Sequence, residues 1–229
     1  VSEGVDARTS IEGHSSSLAS HSSLLVPPRG DARVPQPALF VDRDGTVTVE
    51  GEWIVHPGAL ELVPGASRAL VRARDAGYRI VMYTNQSAVA RGMITEARLE
   101  EIHDGLLAML ARDGAGLDGI YSCPHHPTEG VGAYKTACEC RKPEPGLIRR
   151  AARELNLDLA RSWCVGDMMR DLEAGAAAGV PGILVATGKG TSERARLTAE
   201  GRPLPRFEPD VAAAIDAILT GRATRDTRP

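Results

Sequence analysis

No apolar run in this 229-residue chain approaches the length of a membrane span. Nor does a basic stretch followed by a continuous apolar segment open it, Leu24-Leu25-Val26 being too short to serve as one. Both absences point to a cytoplasmic protein. A basic excess is missing too. The formal net charge of −3 and pI near 6.1 give no electrostatic footing for nucleic acid or an anionic membrane. Cysteine is scarce, with four residues, and lysine scarcer: of 27 basic residues only Lys135, Lys142 and Lys189 are lysine. Four thiols in a reducing compartment argue for metal or redox work rather than lasting disulfides. A chain that otherwise chooses arginine keeps a lysine where a compact point charge is wanted.

What is present reads as a soluble globular protein, 42% hydrophobic and 25% charged, long enough for one well-buried domain or at most two small ones. Residues 1–36 hold eight serines and no aromatic residue, and they end among Pro27, Pro28 and Pro35. Such a segment buries too little apolar area to offset its ordering entropy, so a flexible arm is expected there. A flexible tail is expected over 221–229, leaving a domain at 37–220, and no internal repeat is found. Within the domain short apolar runs alternate with helical periods. Strands are expected at ALFVD (38–42), RIVMYT (79–84), LDGIYSC (117–123), SWCVGD (162–167) and GILVAT (182–187). Helices are expected at 65–77, 96–114, 145–157, 171–179 and 209–219. This order predicts an α/β fold, a Rossmann-like doubly wound parallel sheet, with ligands at the carboxyl ends of its strands.

The residues at those strand ends carry the chemistry. The first strand runs out in Asp42-Arg43-Asp44, the second in Thr84-Asn85-Gln86-Ser87, and the fourth in Gly166-Asp167 with Asp171 four residues on. Lys142 precedes the helix that leads into the fourth strand. Each piece alone fits a turn, a helix cap or a surface charge. Together they bring several acids to one rim, where they would repel unless a cation sat among them. An all-oxygen set of this kind suits Mg²⁺ completed by phosphate oxygens.

A second cluster lies in CPHHPTEGVGAYKTACEC, residues 123–140. C-x-H followed after twelve residues by C-x-C offers Cys123, His125, Cys138 and Cys140, a Cys₃His set that matches a closed, structural zinc site. A disulfide, a catalytic zinc and a nucleic-acid ribbon are rivals. The compartment, the location of the acids elsewhere and the lack of a basic face weigh against them in turn. His126 is a fifth candidate ligand or a solvated neighbour, and Cys164 a small core residue. Since Arg141-Lys142 follows Cys140 directly, the zinc loop is expected to set the position of Lys142.

The series FVDRDGT, YTNQS, Lys142 and VGDMMRD resembles the haloacid dehalogenase-like phosphatases. More narrowly, DRDGTVTVEGEW, TNQSAVARG, LDGIYSCPHHP and CECRKPEPG resemble the heptose-bisphosphate phosphatase family, over residues 38–220. The resemblance implies a Mg²⁺-dependent phosphatase without a large cap domain, acting on a small phosphorylated sugar in nucleotide-activated heptose biosynthesis. Asp42 would be the nucleophile and Asp44 the general acid and base. Mg²⁺ would be held by Asp42, the Asp44 carbonyl and Asp167, with Asp171 supporting them. Thr84, Asn85 and Lys142 would gather the phosphoryl oxygens. Substrate contacts are expected from Glu50, Glu52 and Trp53, and from Gln86, Ser87 and Arg141. Two departures from the family pattern bear on substrate preference: Ala88 replaces a usual glycine, and Met168 a frequent lysine. A histidinol-phosphate phosphatase and a non-catalytic phosphosugar-binding protein are the alternatives, and a monomer is expected.

Overall fold

A computed structural model describes Leu25 and residues 34–51 and 53–224. Most of the arm expected at 1–36, the end of the tail expected at 221–229, and Glu52 lie outside the described residues. Six strands form one parallel sheet: β1 (Gln36–Val41), β2 (Arg79–Asn85), β3 (Gly119–Cys123), β4 (Leu157–Gly166), β5 (Gly182–Val185) and β6 (Phe207–Glu208), in the order β3-β2-β1-β4-β5-β6. The chain winds outward from β1 to β3, then crosses back to build the other half from β4. The strand order therefore reverses between β1 and β4, and a crevice opens beyond their carboxyl ends.

Both faces of the sheet are covered, which is why its strands read as unbroken apolar runs. The period of two sorts them. Leu39 and Val41 of β1 join Ile80, Met82, Trp163, Val165, Ile183 and Val185 on one face, under α1 (Ala66–Asp75), α3 (Glu96–Arg112) and α7 (Val211–Leu219). Ala38 and Phe40 join Val81, Tyr83 and Cys164 on the other, under α4 (Gly146–Glu154) and α5 (Met169–Ala177). Cys164 is thus the small buried core residue expected of it. Thr95 caps α3 by accepting from Arg98 N–H at 3.1 Å, and Asp210 caps α7 by accepting from Ala213 N–H at 2.8 Å.

Five details differ from the sequence reading. α4 stops at Glu154 rather than reaching 157, because Asn156 takes φ +51 and Leu157 already pairs with Gln36 in β4. A short helix α2 (Ser87–Ala90) follows β2, and α6 (Gly190–Ala199) follows β5. β6 adds two residues to the far edge. At the tail, Ala223 is buried and its N–H donates to Ala217 O at 2.9 Å, so residues beyond α7 pack onto it. Between the first acid loop and α1 there is only a loop with one 3-10 turn at Pro57–Ala59, and hence no large cap domain.

Candidate active site

The crevice at the strand-order reversal collects the acids. Asp42 follows β1 and Asp167 follows β4, while Asp171 projects from the first turn of α5; all three are buried, and their carboxylate oxygens lie within 4.8 Å of one another. One ammonium faces them. Lys142 Nζ lies 2.9 Å from Asp42 Oδ1 and 2.7 Å from Asp171 Oδ1, and donates to Tyr83 O at 2.9 Å. Three carboxylates against one lysine leave an excess of two negative charges. Burial first, and then the neighbouring acids, push Asp42 up to about 6 and Asp167 up to about 8, against the pull of Lys142 on the former and Lys189 N–H on the latter. Burial alone would lower Lys142, but Asp171 and Asp42 outweigh it and hold the lysine above its ordinary value.

Those residues fit a divalent cation. Two glycines keep the space around Asp167 open. A Cβ on Gly45 (φ +77) or on Gly188 (φ +57) would stand 2.3 Å from Asp167 Oδ2, so neither position tolerates a side chain. The hard oxygen set suits Mg²⁺. Asp44 is not part of it through its side chain. Its carboxylate meets Arg43 Nε at 2.8 Å and Nη2 at 2.9 Å, and accepts from Gln86 Nε2 at 3.0 Å. Burial would raise Asp44, yet the Arg43 charge and hydrogen bonds overcome it and hold the group below the usual carboxylate range. What Asp44 can offer a metal is its main-chain carbonyl.

The second strand end divides its work. Asn85 grips the backbone of Lys142 twice, accepting from Lys142 N–H at 3.0 Å and donating to its carbonyl at 3.1 Å. Gln86 is buried and bridges Asp44, Arg43 and Thr84, with Nε2 to Thr84 Oγ1 at 2.9 Å. Both amides are therefore committed to protein partners, whereas the buried Thr84 keeps its hydroxyl proton free to donate. Ser87 Oγ and His125 O meet Arg141 Nη1 at 3.4 and 2.9 Å. Ala88 sits within helix α2 and not at positive φ, so its Cβ carries no backbone strain. Met168 N–H donates to Asp171 Oδ2 at 2.9 Å. Glu50 reaches the rim through Lys189, whose Nζ lies 2.5 Å from its carboxylate. Trp53 is 43% exposed beneath the Arg91 guanidinium.

Sequence reasoning passed over two contributors. Arg43 is among the largest fully buried side chains and fixes Asp44; its place between two acids was the available signal. Lys189 N–H donates to Asp167 Oδ2 at 2.8 Å, a main-chain contact that no residue type announces.

The Cys₃His set also assembles. Cys123 ends β3, and Cys123, His125, Cys138 and Cys140 present ligand atoms within 4.8 Å of one another. The sulfurs stand 3.1 to 3.6 Å apart and His125 Nδ1 lies 3.4 Å from Cys140 Sγ. These separations are too long for a disulfide. They approach the edges of about 3.5–3.8 Å of a tetrahedron with Zn–S near 2.3 Å. His126 stands outside the cluster, accepting from Glu129 N–H at 3.0 Å. Hydrogen bonding to Cys123 and burial push the Cys140 thiol far up.

Fold and site together define a class, the haloacid dehalogenase-like hydrolases. Comparison with known proteins agrees. The family model described as HAD-hydrolase-like matches residues 139–214. A D-glycero-beta-D-manno-heptose-1,7-bisphosphate 7-phosphatase of Yersinia pestis is 42% identical over 166 residues, 72% of this chain and 85% of that protein. A solved D,D-heptose 1,7-bisphosphate phosphatase from B. bronchiseptica, complexed with magnesium and phosphate, superposes with TM-score 0.71 at 37% identity, covering 81% of this chain and 99% of that one. The enzyme of the same name from Burkholderia thailandensis gives 0.60 at 30% identity, covering 81% and 99%. The chain belongs to the heptose-1,7-bisphosphate 7-phosphatase family of these hydrolases.

Proposed function

We propose that this protein is a phosphatase that removes the 7-phosphate of D-glycero-D-manno-heptose 1,7-bisphosphate through an aspartyl-phosphate on Asp42. The observation that carries the reading is the placement of Asp42: buried, at the strand-order reversal, and 2.9 Å from a lysine held by Asp171, the Tyr83 carbonyl and the Tyr83 ring. A carboxylate held there attacks phosphorus in line while Lys142 and Thr84 donate to the equatorial oxygens. Asn85 fixes the height of Lys142 by its two main-chain bonds, and Asp171 fixes its direction. Asp44 rests ionised on Arg43, the state of a base ready for the hydrolytic water. A phosphate dianion arriving beside it raises its proton affinity, as the acid role on the leaving oxygen requires.

Asp42, Asp167 and the Asp44 carbonyl would hold Mg²⁺, which when bound supplies positive charge to the transferring phosphoryl group. Cys123, His125, Cys138 and Cys140 would hold Zn²⁺ as a staple on the loop that delivers Arg141 and Lys142. Glu50, Trp53, Ser87 and Arg141 stand around the mouth as sugar-facing residues. We take the working unit to be a monomer. A thiol cluster kept free of disulfides suits the cytoplasm. No helix among the described residues is long and apolar enough to cross a membrane.

Phosphate release with Mg²⁺ from each anomer of the bisphosphate and from histidinol phosphate tests the reading, with Asp42→Asn as control. The activity named for the relatives leads us to expect the beta anomer to be preferred and the control to be dead. A preference for histidinol phosphate would overturn the substrate assignment, and turnover by the control would overturn the mechanism.

A further inference from the structure

The buried pair Lys142–Asp171, 2.7 Å apart, has an arginine on either flank: Arg141 precedes the lysine and Arg170 precedes the aspartate. Both arginines stay partly exposed at the rim while their neighbours are buried. Several arginines elsewhere meet carboxylates, as Arg72 with Asp216, Arg161 with Asp158 and Arg196 with Glu200, while others meet a carbonyl or a ring, as Arg149 meets Ala177 O and Arg194 lies over Phe207. The two at the rim have no ion pair among the described residues. Among the described residues the Arg141 guanidinium meets the neutral oxygens of His125 and Ser87. Arg170, the one basic residue of α5, makes no ion pair among the described residues, and its Nε is buried without a hydrogen-bond partner.

The Lys142–Asp171 contact brings the residues that precede them to one rim, where Arg141 is met by neutral oxygens and Arg170 keeps a buried donor. An acid within reach of Arg170 is Glu193, but its carboxylate is already taken by Arg196 at 2.9 Å and by Met169 N–H at 3.1 Å. Two like charges held at a rim, one with a buried donor left over, are relieved by an anion with several acceptor oxygens. A phosphate dianion accepts from both forks at once, whereas a hydroxyl of the sugar cannot neutralise either.

We infer that Arg170 is a substrate-binding residue that joins Arg141 in a subsite for the non-reacting phosphate of the bisphosphate. This rests on the sugar-bisphosphate reading above. It makes Arg170 a determinant of bisphosphate over monophosphate, since only the former fills both the reacting centre and the subsite.

The test compares kcat/KM for heptose 1,7-bisphosphate and heptose 7-phosphate in the wild type, Arg170→Ala and Arg170→Lys. The bisphosphate-to-monophosphate ratio should fall about 10- to 100-fold in Arg170→Ala, through KM, with part recovered in Arg170→Lys. A ratio that does not move, whether both substrates weaken together or neither does, overturns the subsite. The ratio of inhibition constants of the two sugars against p-nitrophenyl phosphate hydrolysis reads the same contact without heptose turnover. A wild type that turns over neither heptose but whose inhibition ratio shifts on Arg170→Ala therefore refutes the substrate, not the subsite. Heptose turnover with an unmoved ratio refutes the subsite alone.

Discussion

Two clusters of ligand atoms, both grown from strand ends of one sheet, differ in almost every property that decides what a metal does. The oxygen cluster of Asp42, Asp167 and Asp171 is fully buried, shares its charge with a single lysine, and keeps its space clear through Gly45 and Gly188. The sulfur cluster of Cys123, His125, Cys138 and Cys140 is mostly half-exposed and gathers four soft ligand atoms that could close around one metal. Hard oxygens with room beside them invite a cation and a phosphate; soft sulfurs closed into a tetrahedron leave nothing for a substrate to bind. The clusters converge on one residue. Lys142 is tied to the first by ion pairs and to the second by a two-residue link through Arg141. The proposed function assigns chemistry to one cluster and placement to the other.

The comparison breaks most sharply at Asp42. Asp42→Asn should lower phosphate release by about 10⁴-fold or more, since no other group can form the acyl phosphate. Circular dichroism should show the fold retained, because the change removes one of several crowded negative charges. Lys142→Ala should cost about 10³-fold in kcat. It should also cost about 3–5 kcal/mol in urea unfolding, because Asp171 is left buried without its cation. Cys138→Ser, at the other cluster, should abolish zinc by metal analysis yet lower kcat only about 10- to 100-fold, leaving Mg²⁺ affinity near wild type. A loss as deep as that of Asp42→Asn would erase the distinction between the clusters.

The smallest effect follows from protons. With Asp167 raised to about 8 and Asp42 to about 6, Mg²⁺ must displace protons to bind. Its affinity, followed by calorimetry, should climb by up to about tenfold per pH unit and level off near pH 8. The sign reverses for stability without metal. These acids bind protons more tightly folded than unfolded, so their contribution is full below about 4 and is lost as pH rises through about 6 and 8. Added Mg²⁺ should flatten that decline.

Much of this site was legible before any coordinate. Buried parallel strands announce themselves as apolar runs, and the residues just after them must share one rim, so Asp42, Asp44, Thr84, Asp167 and Asp171 could be placed together from spacing alone. The C-x-H and C-x-C pairs were equally plain. What escaped depends on pairing across the chain. Arg43 is buried because Gln86, forty-three positions on, and Asp44 both meet it. Asn85 looked like a phosphate ligand because nothing local shows that its amide would find the backbone of Lys142, fifty-seven residues away. β6 holds two residues and α6 opens on Gly190 with a mixed face, too little pattern for either to stand out. Arg170 looked like any surface arginine until its missing carboxylate could be seen.

The division of labour is tested most directly by acid-quenching the enzyme during turnover of substrate labelled in its 7-phosphate and mapping the protein-bound label. Label should fall on the peptide that contains Asp42 in the wild type and in Cys138→Ser, where it builds up more slowly, and vanish in Asp42→Asn. Turnover with no protein-bound label, or label lost with the sulfur cluster as completely as with Asp42, would contradict it.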